Sequence, residues 1–371
     1  MPKHLVLAGA GHAHMMVLQN LAQIVGQGVE VTVIGPGPRH YYSGMGPGML
    51  GGDYEPQEIS FPVQAMVEQA GGRFLQDRMV GIDPTAKLVL TKDSGPVPYD
   101  VLSCNTGSAI PDETVEDQAR IYRVKPIENL LEARLRLSEI ARQRKVSVGV
   151  VGGGPASLEI AGNAWALTRR NGGQGAEVRI YAGSRFLKRA PEGVASRARE
   201  IIAGRGIEII EGAYARHVGS DRVALDDGRA FEHDLVFLVT GVKPRPLFGP
   251  SGLPTGPEGG LMVNRFLQCP DHPDIFGGGD CVYYGPQPLA KVGVYAVRQN
   301  PVLLNNLQAR LTGGELEAFE PGGAYLLIYN LGGGVGILHK WGLILQGKLA
   351  FKIKDHIDRG FMIRFKPEWD R

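Results

Sequence analysis

Leu5-Val6-Leu7-Ala8-Gly9-Ala10-Gly11-His12-Ala13-His14 and, further along, Val148-Gly149-Val150-Val151-Gly152-Gly153-Gly154-Pro155-Ala156-Ser157 share one design, with Gly152 standing 143 residues after Gly9. Each is a strand-like apolar run, a glycine turn and the start of a helix-like run. Glycine at the first turn position permits the tight reversal. At the second it lets the backbone approach a pyrophosphate, which rests on the free N–H groups and positive dipole end of the following helix. Gly9 and Gly11 fill these roles in one copy, Gly152 and Gly154 in the other. One such turn is weak evidence; two at a whole-domain spacing point to a chain that holds two dinucleotides and passes electrons between them. At the third position, where a small residue suits close helix–strand packing, stand His14 and Ser157. His14 requires the first helix to start further from its strand or to turn the imidazole outward.

Working outward, the remaining punctuation repeats as well. Met15 to Val25 has helical spacing, and Val29 to Ile34 alternates like a strand. A long loop follows from Gly35 to Gly52, of a length that usually carries function. Residues 79–92 read as a hairpin around Asp83-Pro84. The strand of Tyr99 to Ser108 ends in Thr106-Gly107, and that of Asp234 to Gly241 ends in Thr240-Gly241. Leu130 to Arg144 is an amphipathic helix, Val292 to Leu311 another, and Gly279-Asp280 closes a third strand. The last forty-odd residues read as a glycine-rich strand pair and a basic, apolar terminus.

Composition narrows the classes. In 371 residues, 40 Lys and Arg balance 38 Asp and Glu, which leaves no whole-chain nucleic-acid footprint. Cys104, Cys269 and Cys281 are unclustered, offering neither a disulfide framework nor a metal-ligand spacing. Cys104 reads as a small buried hydrophobe and Cys269 as a surface residue. With no signal-peptide pattern and no bilayer-length apolar run, a cytoplasmic protein is expected, or one on the cytoplasmic face of a membrane.

The order glycine turn, Thr-Gly, glycine turn, Thr-Gly, Gly-Asp over about residues 4–310 resembles the two-dinucleotide-binding-domain flavoproteins. That resemblance implies an α/β fold of two Rossmann-like domains. Residues 1–115 and 241–322 would form an FAD domain, 116–240 an inserted NAD(P)H domain, and 323–371 a C-terminal region. Gly9, Gly11 and Asp280 would hold FAD, with Asp280 on the ribityl chain; Gly152, Gly154 and Glu159 would belong to the NAD(P)H domain. His12, Ala13, Thr106, Gly107, Gly241, Gly279 and Val292 complete the expected cofactor-binding set. Glu159 reads equally as an acid favourably placed near a helix N-terminus.

Within the family, Ser43 to Asp53 lacks the Cys-x-x-x-x-Cys pair of the disulfide reductases, so electrons need another acceptor. The chain looks most like the type II NADH dehydrogenase and sulfide:quinone oxidoreductase branch. It is nearest to NADH-dehydrogenase-like proteins related to those fused to selenophosphate synthetase. Gly11-His12-Ala13-His14, Tyr42-Ser43-Gly44-Met45, Lys291 to Gln299 and Lys354 to Met362 carry that likeness. It implies a helix whose N-terminal end faces the flavin pyrimidine, with Ala296 there and Gln299 near a quinone. Lys291 would contact flavin N5 or a quinone carbonyl, and Pro47 would lie against the flavin ring. Lys291 and Gln299 are thus the expected catalytic residues. Sulfide oxidation needs two cysteines near the flavin, and none of the three matches those positions. An enzyme acting on sulfur or selenium species, and a flavin-binding redox sensor of the apoptosis-inducing-factor kind, are the rival functions.

Two acids expected about twenty residues past the glycine turns are missing. The strands end at Ile34-Gly35-Pro36 and at Tyr181-Ala182-Gly183-Ser184-Arg185. The second loss, beside Arg185, suits the 2′-phosphate of NADPH. It also suits a domain that no longer binds nicotinamide. Finally, Ala350, Ile353, Ile357 and Phe361 form an apolar stripe flanked by Lys348, Lys352, Lys354, Arg359, Arg364 and Lys366, weakened as a helix by Gly360. Such a helix docks on a membrane interface, on its own protein or on a second subunit of a homodimer.

Overall fold

The computed structural model describes residues 2–111, 120–219 and 221–370; the expected boundary between residues 115 and 116 lies outside them. Its fold is α/β, organised on two Rossmann-like sheets. The first sheet runs Gln268–Cys269, His272–Gly277, Val101–Cys104, His4–Ala8, Glu30–Gly35, Arg73–Gln76. All neighbours are parallel except the short Gln268–Cys269 edge. The second is wholly parallel and runs Ile121–Arg123, Leu235–Leu238, Val146–Val151, Ala176–Tyr181, Glu208–Ile210. Parallel strands are covered by helices on both faces and so read as continuous apolar runs. Leu5 to Ala8 and Leu235 to Leu238 are accordingly buried throughout.

Between the sheets the chain crosses twice, and the crossings pair: Ser108–Ala109 runs antiparallel to Lys243–Pro244. The helices expected over 130–144 and 292–311 are Glu128–Gln143 and Gly293–Thr312, and the 79–92 hairpin is Met79–Asp83 with Leu88–Thr91. Some expectations change. The first helix is broken at Asn20, whose side-chain amide donates to the Met16 carbonyl, leaving Met15–Gln19 and Leu21–Gly26. Part of the long loop is the short helix Gly46–Leu50. The C-terminal strand pair is a three-stranded sheet, Leu327–Asn330, Gly336–Lys340 and Leu343–Gly347, followed by the helix Lys348–Phe365.

Gly360 does not interrupt that helix, and its inward face is not the expected stripe. Ala350, Lys354, Asp358, Met362 and Phe365 are buried. Lys354 therefore moves from the flank to the interior, while Ile357 is exposed. Cys269 is also corrected from surface to core, like Cys104 and Cys281.

Candidate active site

Both glycine turns are built alike. Gly9 N–H donates to Ile34 O at 2.8 Å, and Gly152 N–H to Tyr181 O at 2.9 Å, each tying the turn to the neighbouring strand end. Both glycines have positive φ, +93° and +141°. A Cβ on Gly9 would stand 2.3 Å from the Asn105 carbonyl oxygen, and one on Gly152 2.3 Å from that of Val239. Asn105 and Val239 directly precede the two Thr-Gly pairs, so each glycine turn is packed on its own Thr-Gly strand end. Gly107 and Gly241, also at positive φ, face open space.

His14 departs from expectation. It is fully buried, its Nδ1 2.7 Å from Gly9 O and its Nε2 2.7 Å from Ser103 Oγ. The ring thus points inward and splints the turn from beneath, and the α-helix begins only after a short 3₁₀ turn at His12–His14. Burial pushes the His14 imidazole down to about 4, so it stays neutral.

The first turn opens into a cleft of about 1390 Å³ lined by Gly9, Gly11, His12, His40, Asn105, Thr106, Gly107, Ser108, Lys125, Gly279, Asp280, Gly293 and Ala296. That exceeds the roughly 300–1,000 Å³ of ordinary small-molecule pockets and suits a longer ligand. Buried polar atoms in its wall have no protein partner: His12 Nε2, His40 Nε2, Asn105 Oδ1 and Thr106 Oγ1. Such atoms are costly unless a ligand or water satisfies them. The two imidazoles meet edge to face at 5.3 Å; burial holds His12 near 3 and His40 near 4. Asp280 receives Lys125 Nζ at 2.6 Å and the Ser108 hydroxyl at 2.7 Å, both on Oδ2. Burial alone would raise this carboxyl, but Lys125, Ser108 and Lys291 together outweigh it and keep Asp280 below the usual carboxylate range.

Both expected catalytic residues have partners within the protein. Gln299 is buried, and its Oε1 accepts from Gly279 N–H at 2.7 Å. It therefore holds the Gly-Asp turn, where Gly279 has φ +74°, through the oxygen end of its amide. Lys291 Nζ donates to Val282 O at 2.5 Å and pairs with Glu258 at 2.8 Å. Val292 caps the Gly293–Thr312 helix, whose first turns, through Gly293 and Ala296, do border the cleft. Pro47 opens the Gly46–Leu50 helix, and Ala13 is wholly buried beneath the first turn.

At the second turn, Gly153 is closed off by the Ala182 carbonyl, whereas Gly154 faces open space and leads into the Pro155–Leu167 helix. Arg185 is exposed and paired with Glu192 at 2.5 Å. Glu159 does not face this turn. Its Oε1 accepts from Asn330 N–H at 2.9 Å, which ties the helix to the C-terminal sheet; burial pushes it up to about 7 against the pull of Lys354.

Residues 3–299 match the model of the pyridine nucleotide-disulphide oxidoreductases. The chain belongs to that family. Within the wider set of relatives it is 24% identical over 386 residues to the type II NADH:quinone oxidoreductase of Staphylococcus saprophyticus, covering 96% of this chain and 94% of that one. It is 26% identical over 293 residues to the nitrite reductase [NAD(P)H] of Bacillus subtilis; the match takes in 75% of this chain but only 34% of that protein. In fold it follows NDH2 of Plasmodium falciparum, solved with NADH, at a TM-score of 0.81 and 13% identity over 100% of this chain and 96% of that one.

Sequence reasoning missed His40, Ser108 and Lys125. Ser108 directly follows the Thr106-Gly107 pair and could have been found there, whereas His40 and Lys125 lie outside the glycine motifs and Lys125 reaches Asp280 across 155 residues of chain.

Proposed function

We propose that this family member is an FAD-dependent NAD(P)H dehydrogenase of the type II kind, passing electrons to a quinone. One observation carries the reading: a glycine turn opening on a long cleft whose buried donors and acceptors have no protein partners, duplicated in a second sheet where Gly154 faces open space. The type II relative matched along nearly its whole length supports the quinone. The four sequence stretches quoted above support a likeness to the NADH-dehydrogenase-like group related to the selenophosphate synthetase fusions.

Bound FAD would supply the chemistry, taking hydride from NAD(P)H and delivering electrons to the acceptor. This chain's residues bind and orient. Gly9, Gly11, His12 and Ala13 would seat the pyrophosphate on the first turn, and Thr106 and Asn105 would bind along the strand end. Gly279 and Asp280 would hold the ribityl chain. Val292 and the free N–H groups after it would face the pyrimidine and favour negative charge there. Lys291, fixed by Glu258, adds positive charge nearby, and Gln299 keeps the Gly-Asp turn in place. Pro47 would back the ring. Gly152, Gly154 and Gly241 would receive the nicotinamide cofactor, with Arg185 exchanging Glu192 for the 2′-phosphate of NADPH. No titrating side chain is needed for hydride transfer.

We further place the protein at the cytoplasmic face of a membrane. No helix of the described residues is long and apolar enough to cross one. Trp341, Leu343 and Leu349 are 82%, 69% and 58% exposed, and Lys340, Lys348 and Lys352 neighbour them in sequence. Apolar tips among cations suit an interface. Against the sulfur chemistry, all three thiols are buried, and burial raises each above its ordinary range, away from the reactive thiolate.

The test is anaerobic stopped-flow mixing of the purified protein with NADH and with NADPH, followed at the flavin's visible band. Rapid bleaching, then reoxidation by a soluble quinone, is expected; no bleaching by either donor rejects the dehydrogenase.

A further inference from the structure

Lys125 belongs to one half of the molecule and does its work in the other. It follows Ile121–Arg123, the edge strand of the second sheet, and precedes the Glu128–Gln143 helix. Yet its ammonium sits in the cleft of the first sheet, 2.6 Å from Asp280 Oδ2 and 3.1 Å from Ser108 Oγ. The side chains of Lys125 and Asp280 are 26% and 13% exposed, and a ligand filling the cleft would shield both further.

A carboxylate here poses an electrostatic problem, because the cofactor it would hold gains negative charge on reduction. Two like charges held close together in a protein cleft repel. The neighbouring imidazoles of His12 and His40 are held neutral by burial and give no compensation, and Lys291, the other cation acting on Asp280, is already paired with Glu258 at 2.8 Å. We propose that Lys125 is the counter-charge of the flavin cleft, neutralising Asp280 so that reduction is not opposed; the inference rests on the flavin reading above. Because both contacts to Asp280 fall on Oδ2, neutralisation and ribityl binding use different parts of the carboxylate. Lys125 is therefore a positioning residue, acting through Asp280.

The experiment is a spectroelectrochemical titration of the flavin-loaded protein. Lys125→Met is expected to keep its flavin and make two-electron reduction about tenfold less favourable, about 30 mV lower. Lys125→Arg, which keeps the charge, is expected to hold the wild-type potential. The double variant Lys125→Met/Asp280→Asn, which removes both charges, is expected to return towards it, a rescue that a merely structural lysine would not produce. An unmoved potential in Lys125→Met overturns the proposal. If that variant sheds its flavin, Lys125→Arg carries the test, and a tenfold shift there overturns it equally. Wild-type protein that takes up no FAD rejects the flavin reading itself, whereas stoichiometric flavin with no shift rejects this inference alone.

Discussion

Lys354 Nζ lies 2.5 Å from Asp358 Oδ2 on the inward face of the C-terminal helix, and it also donates to the Gly44 carbonyl at 2.8 Å. The pair joins the last helix to the loop after the first sheet's second strand. Tyr42 and Phe361, stacked at 4.7 Å, continue the same seam. Removing one partner strands a buried charge, which costs about 3–5 kcal/mol. Lys354→Met should lower stability by that amount in chemical denaturation. Lys354→Met/Asp358→Asn should recover most of it; equal losses in the two would disprove the pairing as the cause.

Acid should unfold the protein early. The imidazoles of His12, His14, His40 and His233 are pushed by burial to about 3, 4, 4 and 4, against about 6.5 in an unfolded chain. Below 6.5 the unfolded chain takes up protons that the folded one refuses. Stability from these groups is therefore complete above pH 6.5 and declines as pH falls towards 4. With up to about 1.4 kcal/mol per pH unit for each group, the slope near pH 5 approaches roughly 5 kcal/mol per unit. Denaturation midpoints at pH 7 and 5 check this, and coincident midpoints would count against neutral burial.

The turn glycines should separate folding from binding. Gly9→Ala meets both a positive φ and the Asn105 carbonyl, so flavin content and thermal stability should both fall sharply. Gly154→Ala meets nothing and has φ −91°. It should keep its flavin and remain within about 0.5 kcal/mol of wild type. Its KM for the nicotinamide donor should nevertheless rise at least about tenfold, the extra methyl intruding where the pyrophosphate approaches. Unchanged donor kinetics would remove the second turn from the site.

Donor choice can be read at Arg185. Arg185→Gln should lower kcat/KM for NADPH by about 10–100-fold, the loss of one charge-assisted contact worth about 1.5–3 kcal/mol. NADH should be used as before. Equal effects on the two donors would place the arginine elsewhere.

The exposed Trp341 should matter only to lipid. Trp341→Ala should weaken flotation with vesicles containing anionic lipid at least about tenfold, since burying such a side chain is worth roughly 2 kcal/mol or more. Turnover with a water-soluble quinone should not change. Undiminished flotation would leave the hairpin tip without a membrane role.

What the sequence made legible follows from distance along the chain. The Gly9 and Gly152 turns, the Gly293–Thr312 helix and the apolar parallel strands are written in local spacing, and all stand where expected. The roles of polar side chains are not written locally. His14 looks too large for its turn until Ser103 supplies a partner 89 residues away. That Gln299 also fastens the Gly-Asp turn shows only when Gly279 N–H is found on its Oε1. Lys354 resembles a surface cation because nothing near it in sequence reveals Gly44 across 310 residues. A charged residue at a helical step can face either way, and only the opposing element decides.

The paired crossings at Ser108–Ala109 and Lys243–Pro244 put the entry and exit of the second sheet side by side. Everything between them is, in effect, a loop of the first sheet whose two ends already touch. The junction itself is short and close, but the segment is no free appendage, because its Glu128–Gln143 and Pro155–Leu167 helices both pack on the host's Gly46–Leu50 helix. The same doorway fixes where the two sheets meet, because both chain crossings pass through a single two-stranded pairing.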